Sequence, residues 1–229
     1  TEAIAWMKRA DRVLYVVADP IAEEAVRQLN PSGAESLEGF YQEGQPRADT
    51  YLNMAKRIME CVRAGEVTCA VFYGHPGIYV NPAHHALRMA RAEGFPAQML
   101  PAISAEDCLF ADLEVDPSVS GCQSYDATDL LLHQRILDPS AGLVVWQIGI
   151  VGDSTYASHG YNLAALPHLI ERLCATYPPD HDVTVYQAAV YPGCAAITQV
   201  VSLRDLATAR LSSASTLYVP PAVAPTRYP

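Results

Sequence analysis

The first hundred residues alternate short apolar runs with amphipathic ones, and this alternation constrains the fold more than any other feature. Arg12–Val17 is a β-branched run closed by Asp19-Pro20, which predicts a buried strand. A helix is expected over Ala22–Leu29, ended by Asn30-Pro-Ser-Gly33. After the polar stretch Phe40–Arg47, a second helix is expected from Thr50, with Met54, Ile58, Met59 and Val62 as its apolar stripe and Gly65 past its end. The pattern then recurs: strand Thr68–Tyr73, turn Gly74–Gly77, helix Pro82–Glu93, short strand Ala97–Leu100. Strands alternating with helices through short turns predict a parallel sheet with helices on both faces. In such sheets ligands bind at the carboxyl ends of strands, so the loops after Val17, Tyr73 and Leu100 are where function belongs.

Beyond Pro101 the texture changes. Strands are expected at Leu143–Ile150, Val183–Ala189, Ala196–Val201 and Thr216–Val219, with helices at Ala105–Leu113 and Leu163–Tyr177 and a short one at Asp205–Arg210. More consecutive strands predict a mixed or antiparallel sheet. The expected division is an N-terminal parallel α/β domain over 1–101 and a C-terminal mixed α/β domain over 102–229. A doubly wound sheet ordinarily opens with a strand whose carboxyl-end loop helps hold the ligand. This chain opens inside a helix, Thr1–Ala10, so either that first strand is lacking or an upstream segment is omitted; omission is the expectation.

Half of the 229 residues are hydrophobic, enough for a sizeable core. A net charge of −10 argues against a nucleic-acid groove, which needs clustered Lys and Arg. The six cysteines form no C-x-x-C pair and read as reduced, mostly buried residues. The seven histidines show no metal-ligand spacing, so no metal is expected. No apolar run is long enough for a membrane helix and no signal peptide opens the chain, which leaves the cytoplasm as the default location.

Three segments carry candidate chemistry. Tyr73-Gly-His-Pro-Gly-Ile-Tyr79 is a tight turn whose glycines let backbone approach a ligand; it also reads as an ordinary strand-to-helix turn. Ser104 with Asp107 reads as a helix cap, and Ser104 and Ala105 also lie where a ligand would touch. Tyr41, Arg47 and Tyr51 combine phenols with a cation that lowers a phenol pKa; Arg47 and Tyr51 are four apart and share a helix face. The same residues also suit an arginine stacked on surface rings.

Val71–Tyr79 (VFYGHPGIY), Met99–Asp112 (MLPAISAEDCLFAD) and Ser215–Pro221 (STLYVPP) together resemble the tetrapyrrole-methylase superfamily, and within it the borosin peptide α-N-methyltransferases; Gln123–Ala127 and Trp146-Gln147 fit the same pattern. The resemblance covers nearly the whole chain. It implies methyl transfer from S-adenosylmethionine to backbone amides of a ribosomally made peptide, leaving S-adenosylhomocysteine, by an interlocked homodimer with the cofactor cleft between its two domains. It assigns cofactor contacts to Tyr73, His75, Ile78, Tyr79, Ser104, Ala105, Gln147, Ala188, Ser215 and Thr216, and catalysis to Tyr41, Arg47 and Tyr51. Members that carry the substrate as their own tail continue past the last strand, whereas here the sequence reaches Pro229 soon after it. The precursor peptide is therefore expected as a separate chain, as in the split bacterial members. A tetrapyrrole (precorrin-like) C-methyltransferase and a catalytically silent peptide-binding relative are the alternatives.

Overall fold

The computed structural model describes residues 2–17, 19–191 and 193–227. The chain forms two compact units, one of Thr1–Ser104 with Thr155–Ala157, the other of Ala105–Ser154 with Ser158–Pro229. The first contains α1 (Glu2–Arg9), β1 (Arg12–Val16), α2 (Pro20–Leu29), β2 (Ala34–Ser36), α3 (Arg47–Arg63), β3 (Thr68–Phe72) and α4 (Asn81–Ala92). Its three strands are parallel in the order β2-β1-β3, with Val13 opposite both Ala34 and Cys69.

The central strand is buried on both faces because side chains alternate across a strand. Leu14 and Val16 pack with Met54, Ala55, Ile58 and Cys61 of α3 and Ala86 of α4. Val13 and Tyr15 pack the other way, with Val17, Ala10 and Val26 of α2. Each such buried aliphatic side chain contributes about 1.5–3 kcal/mol. Buried Asn30 fastens the end of α2: its amide donates to the Met7 and Ala10 carbonyls (2.9 and 2.7 Å), and Gly33 N–H donates to its Oδ1 (2.8 Å).

The second unit holds α5 (Ala105–Asp112), α6 (Pro117–Ser120), β4 (Cys122–Asp126), α7 (Ala127–Leu132), β5 (Gly142–Trp146), α8 (Leu166–Cys174), β6 (Asp182–Gln187), β7 (Ile197–Ser202) and β8 (Thr216–Val219). The sheet order is β4-β5-β8-β6-β7; β4 and β5 are parallel and the other pairs antiparallel. Leu143, Val145, Val183, Val185, Leu217 and Val219 face Leu166, Leu169 and Leu173 of α8. Val144, Trp146, Tyr186 and Tyr218 face Leu109 of α5. The Tyr186 hydroxyl donates to Asp112 Oδ2 (2.7 Å), and burial beside that carboxylate pushes the phenol pKa well up. A parallel unit followed by a mixed one is the α/β architecture expected from the sequence.

Several elements differ. Residues 97–100 form no strand; the Ala97 carbonyl accepts from the Arg91 guanidinium (3.1 and 3.2 Å) instead of a ladder partner. The run over 143–150 is a strand only to Trp146, after which Gln147 turns left-handed and Ile148–Ile150 form a 3-10 turn. α3 starts at Arg47, three residues earlier than its apolar stripe shows, and the short helix near 205 is a 3-10 helix over Leu203–Thr208. Among the described residues no helix is long and apolar enough to cross a membrane.

Candidate active site

The carboxyl ends of β1 and β3 open onto a small cavity. Val16 and Phe72 form its floor, and Tyr41, Tyr51, Tyr73 and Tyr79 line it together with Met54, Val80 and Pro82. Its volume, ≈40 Å³, holds about three waters at most and no peptide. It therefore marks where the tyrosines converge and is no complete substrate pocket. Two tyrosines expected to be catalytic and two expected to touch a cofactor thus share one wall, although 38 residues separate the first from the last.

The start of α3 departs from what a helix favours. Pro46 is its N-cap residue and supplies no side-chain cap. Arg47, a cation, occupies its first position, where the helix dipole favours anions. One turn on, Thr50 is fully buried and its Oγ1 has no hydrogen-bond partner among the described residues. Local rules broken together at one place are expected where function rather than stability selected the residues. Arg47 and Tyr51 stand four residues apart on this helix and so share a face. Tyr41 meets Tyr51 edge to face, with ring centroids 6.5 Å apart and planes at 89°.

The turn after β3 is closed by two histidines. Gly77 N–H donates to His75 Nδ1 (2.9 Å), and His84 Nε2 donates to the Gly77 carbonyl (2.9 Å). Gly74 has φ +68°, and a Cβ on Gly77 would lie 2.9 Å from Met99 Sδ and 3.1 Å from the His75 ring. The His75 ring is therefore part of the turn itself, one role the sequence did not show. Tyr79 ends the turn with φ 56°, a left-handed conformation that costs a non-glycine residue about 1 kcal/mol or more. Tyr73, Ile78 and Tyr79 are exposed, and Ser104 is buried directly ahead of α5, which Ala105 begins.

In the second unit the remaining expected contacts gather at one end of the sheet. Gln147 follows β5, Ala188 follows β6, and Ser215-Thr216 enter β8 between those two strands. Ile148 N–H donates to the Ser215 carbonyl (3.2 Å), and Ser212 N–H donates to Ser215 Oγ (2.8 Å). Ser212 Oγ in turn donates to Gln187 Oε1 (2.7 Å). Ser215 and Thr216 are buried, so a ligand at this end would meet backbone and Gln147 before their hydroxyls. Gln147 has φ 59°. Only three described non-glycine residues have positive φ, and two of them, Tyr79 and Gln147, are expected site residues.

Two residues near the tyrosines escaped the sequence reading. His84 was one of a pair at a helix start, with nothing to single it out. Tyr156 packs on Tyr41, with centroids 4.8 Å apart, from a segment 115 residues downstream. Met54, expected only as part of the apolar stripe of this helix, stands three residues after Tyr51 and lines the cavity with it. Burial pushes the Cys61, Cys69, Cys108, Cys122 and Cys174 thiols up, away from the reactive thiolate form. Only Cys61 is buried; Cys69, Cys108, Cys122 and Cys174 are half-buried and Cys194 is exposed, so the expectation of mostly buried cysteines holds only in part. None of the six is paired in a disulfide.

Comparison with known proteins gives this geometry a context. The chain is 42% identical over 223 residues to a methyltransferase/ribosomally synthesized type III borosin cyclic peptide precursor of Anomoporia bombycina, covering 96% of this chain and 26% of that protein. It is 41% identical over 227 residues to a type I borosin counterpart from Coprinopsis marcescibilis, with 96% and 58% covered. The chain thus spans roughly a quarter to three-fifths of these fungal relatives. Uroporphyrin-III-C-methyltransferase from Thermus thermophilus shares the fold, with a TM-score of 0.66 at 19% identity over 97% of this chain and 87% of that one. The family described as Tetrapyrrole (Corrin/Porphyrin) Methylases matches residues 1–206, and the chain belongs to it.

Proposed function

We propose that this protein is an S-adenosylmethionine-dependent methyltransferase acting on backbone amides of a ribosomally made precursor peptide. The observation that carries the reading is the shared cavity of Tyr41, Tyr51, Tyr73 and Tyr79 at the carboxyl ends of parallel strands, with Arg47 one helical turn before Tyr51 on α3. The relatives' names support the acceptor class.

The residues present suit the cofactor. The turn from Tyr73 to Tyr79 leaves the backbone at Gly74 unobstructed by side chains and carries exposed aromatic faces beside it. Tyr73, His75, Ile78, Tyr79, Ser104 and Ala105 would hold it; on the resemblance alone, so would Gln147, Ala188, Ser215 and Thr216. The bound cofactor supplies an electrophilic sulfonium methyl. An amide nitrogen is a poor nucleophile because its lone pair is delocalised into the carbonyl. Tyr51 or Tyr41 accepts the N–H proton, directly or through water. Arg47, one turn before Tyr51, stabilises negative charge gathering on the amide oxygen. Holding nitrogen and methyl in line supplies much of the rate.

In the relatives' names methyltransferase and precursor are one polypeptide, which favours a fused peptide over the separate chain suggested by the sequence. An interlocked homodimer in the cytoplasm completes the proposal. A tetrapyrrole acceptor and a silent peptide binder have no observation of their own in support.

Calorimetry with S-adenosylmethionine, followed by tandem mass spectrometry of the expressed protein and of candidate precursor peptides added in trans, tests this. The expected result is cofactor binding and N-methyl groups on backbone amides, with Tyr51→Phe binding cofactor but methylating at least a hundredfold more slowly, about 3 kcal/mol in the barrier. No cofactor binding by folded protein would overturn the enzyme reading. Full methylation by Tyr51→Phe would overturn the role of that tyrosine.

A further inference from the structure

The loop that carries Tyr41 towards Arg47 is held by a distant piece of chain. Residues 155–157 leave the second half of the sequence and pack as part of the first unit. Gly44 N–H donates to the Tyr156 carbonyl (2.9 Å) and Tyr156 N–H donates to the Gln45 carbonyl (2.9 Å). Pro46, the residue before Arg47, forms a single antiparallel bridge with Thr155. The Tyr156 ring lies against Tyr41 at 4.8 Å and 32°, and Tyr41 meets Tyr51 edge-on at 6.5 Å. Three rings are thus contiguous in the order Tyr156, Tyr41, Tyr51. Tyr156 is not among the residues lining the cavity that the other two share; its contact is with the Tyr41 ring.

We propose that Tyr156 is a positioning residue for the Tyr41–Arg47–Tyr51 set, its ring fixing Tyr41 and its backbone pair fixing the chain just ahead of Arg47. This rests on the reading of that set as catalytic. Tyr41 follows a single 3-10 turn, Glu38–Phe40, and precedes an irregular stretch of five residues before α3, so its backbone lies in no regular element; its ring rests on the core around Leu14 and Met54, on Tyr51 of α3 and on Tyr156. A neighbouring ring restricts it through stacking, which prefers tilted or edge geometries of this kind. Proton transfer from an amide tolerates little misplacement, so the effect belongs to turnover and not to binding. Stacking needs the ring of Tyr156 and not its hydroxyl, whereas a proton acceptor at Tyr41 needs the oxygen. The two tyrosines should therefore answer differently to loss of oxygen alone.

The test uses full-length protein with ¹³C-labelled tyrosine, the Tyr41 resonance being identified by its loss in Tyr41→Phe. Tyr156→Phe is expected to leave that resonance and methylation unchanged. Tyr156→Ala is expected to shift and broaden it, and to lower kcat by about ten- to a hundredfold at unchanged KM and unchanged S-adenosylhomocysteine affinity. An unperturbed Tyr41 resonance in folded Tyr156→Ala overturns the proposal, as does a loss appearing only in KM. Should Tyr156→Ala fail to fold, Tyr156→Leu, which keeps bulk without a planar face, takes its place under the same criteria. If the wild-type protein methylates no peptide, the resonance still reports whether Tyr156 sets Tyr41, so the two readings fail separately.

Discussion

Two turns in this molecule share a formula and differ in how they are held. Each follows a strand, Tyr73–Tyr79 after β3 and Gln147–Ile150 after β5. Each contains a left-handed non-glycine residue, Tyr79 or Gln147, and a glycine with no room for a side chain, Gly77 or Gly149. The first is bounded by movable groups: the His75 and His84 rings, Met99 and open aromatic faces. The second is bounded by backbone and core. Ile148, Ile150 and Val151 are buried, and a Cβ on Gly149 would fall on the Ser212 carbonyl. A turn held by side chains can adjust to a ligand, while one held by main chain can only fix what surrounds it.

The comparison breaks most readily at the glycines. Gly149→Ala forces backbone apart and is expected to cost about 3 kcal/mol or more, a fall in melting temperature of roughly 6–12 °C. Gly77→Ala meets only a thioether and an imidazole that can turn aside, and is expected to cost about 1 kcal/mol, or roughly 2–4 °C. Equal losses in the two variants, by calorimetry, would erase the distinction. His75→Ala leaves the Gly77 N–H without its acceptor and is expected to cost slightly less, about 0.5–1 kcal/mol. His75→Asn should recover most of it, because Asn Oδ1 stands as many bonds from Cα as His Nδ1 and can accept the same proton. Weaker cofactor binding by His75→Asn at full stability would instead assign the ring to the ligand. The smallest effect is expected at Gln147. Glycine there relieves the left-handed strain and should change stability by less than about 1 kcal/mol in the stabilising direction, whereas Gln147→Val should destabilise.

The same contrast explains what could be read in advance. β1 was legible because Val13–Val17 is a run of five apolar residues ending in Val16-Val17, buried on both faces, which needs no knowledge of partners. α2 was legible from its stop at Asn30-Pro-Ser-Gly33, but its start was not: Asp19, read only as the end of the strand, accepts from the Ile21 and Ala22 N–H groups as the helix cap. β2 and β4 were not legible. Ala34–Ser36 and Cys122–Asp126 are polar, half-buried segments that become strands only because β1 and β5 offer a free edge. The early start of α3 was hidden for the opposite reason, since Pro46 and Arg47 are poor helix openers whose placement answers to the site.

The sequence by itself determined the alternation of elements, the parallel character of the first sheet and the mixed character of the second, and the residue types able to handle a proton near a cation. Periodicity and turn chemistry act over a few residues, and a single chain displays them directly. Only the tertiary structure decided that Tyr41, Tyr51, Tyr73 and Tyr79 face one cavity, that 97–100 forms no strand, and that Tyr156 packs on Tyr41. Those outcomes depend on which distant segment wins a given edge or ring face. That choice is made by packing between residues up to 115 positions apart, where local propensity carries no information.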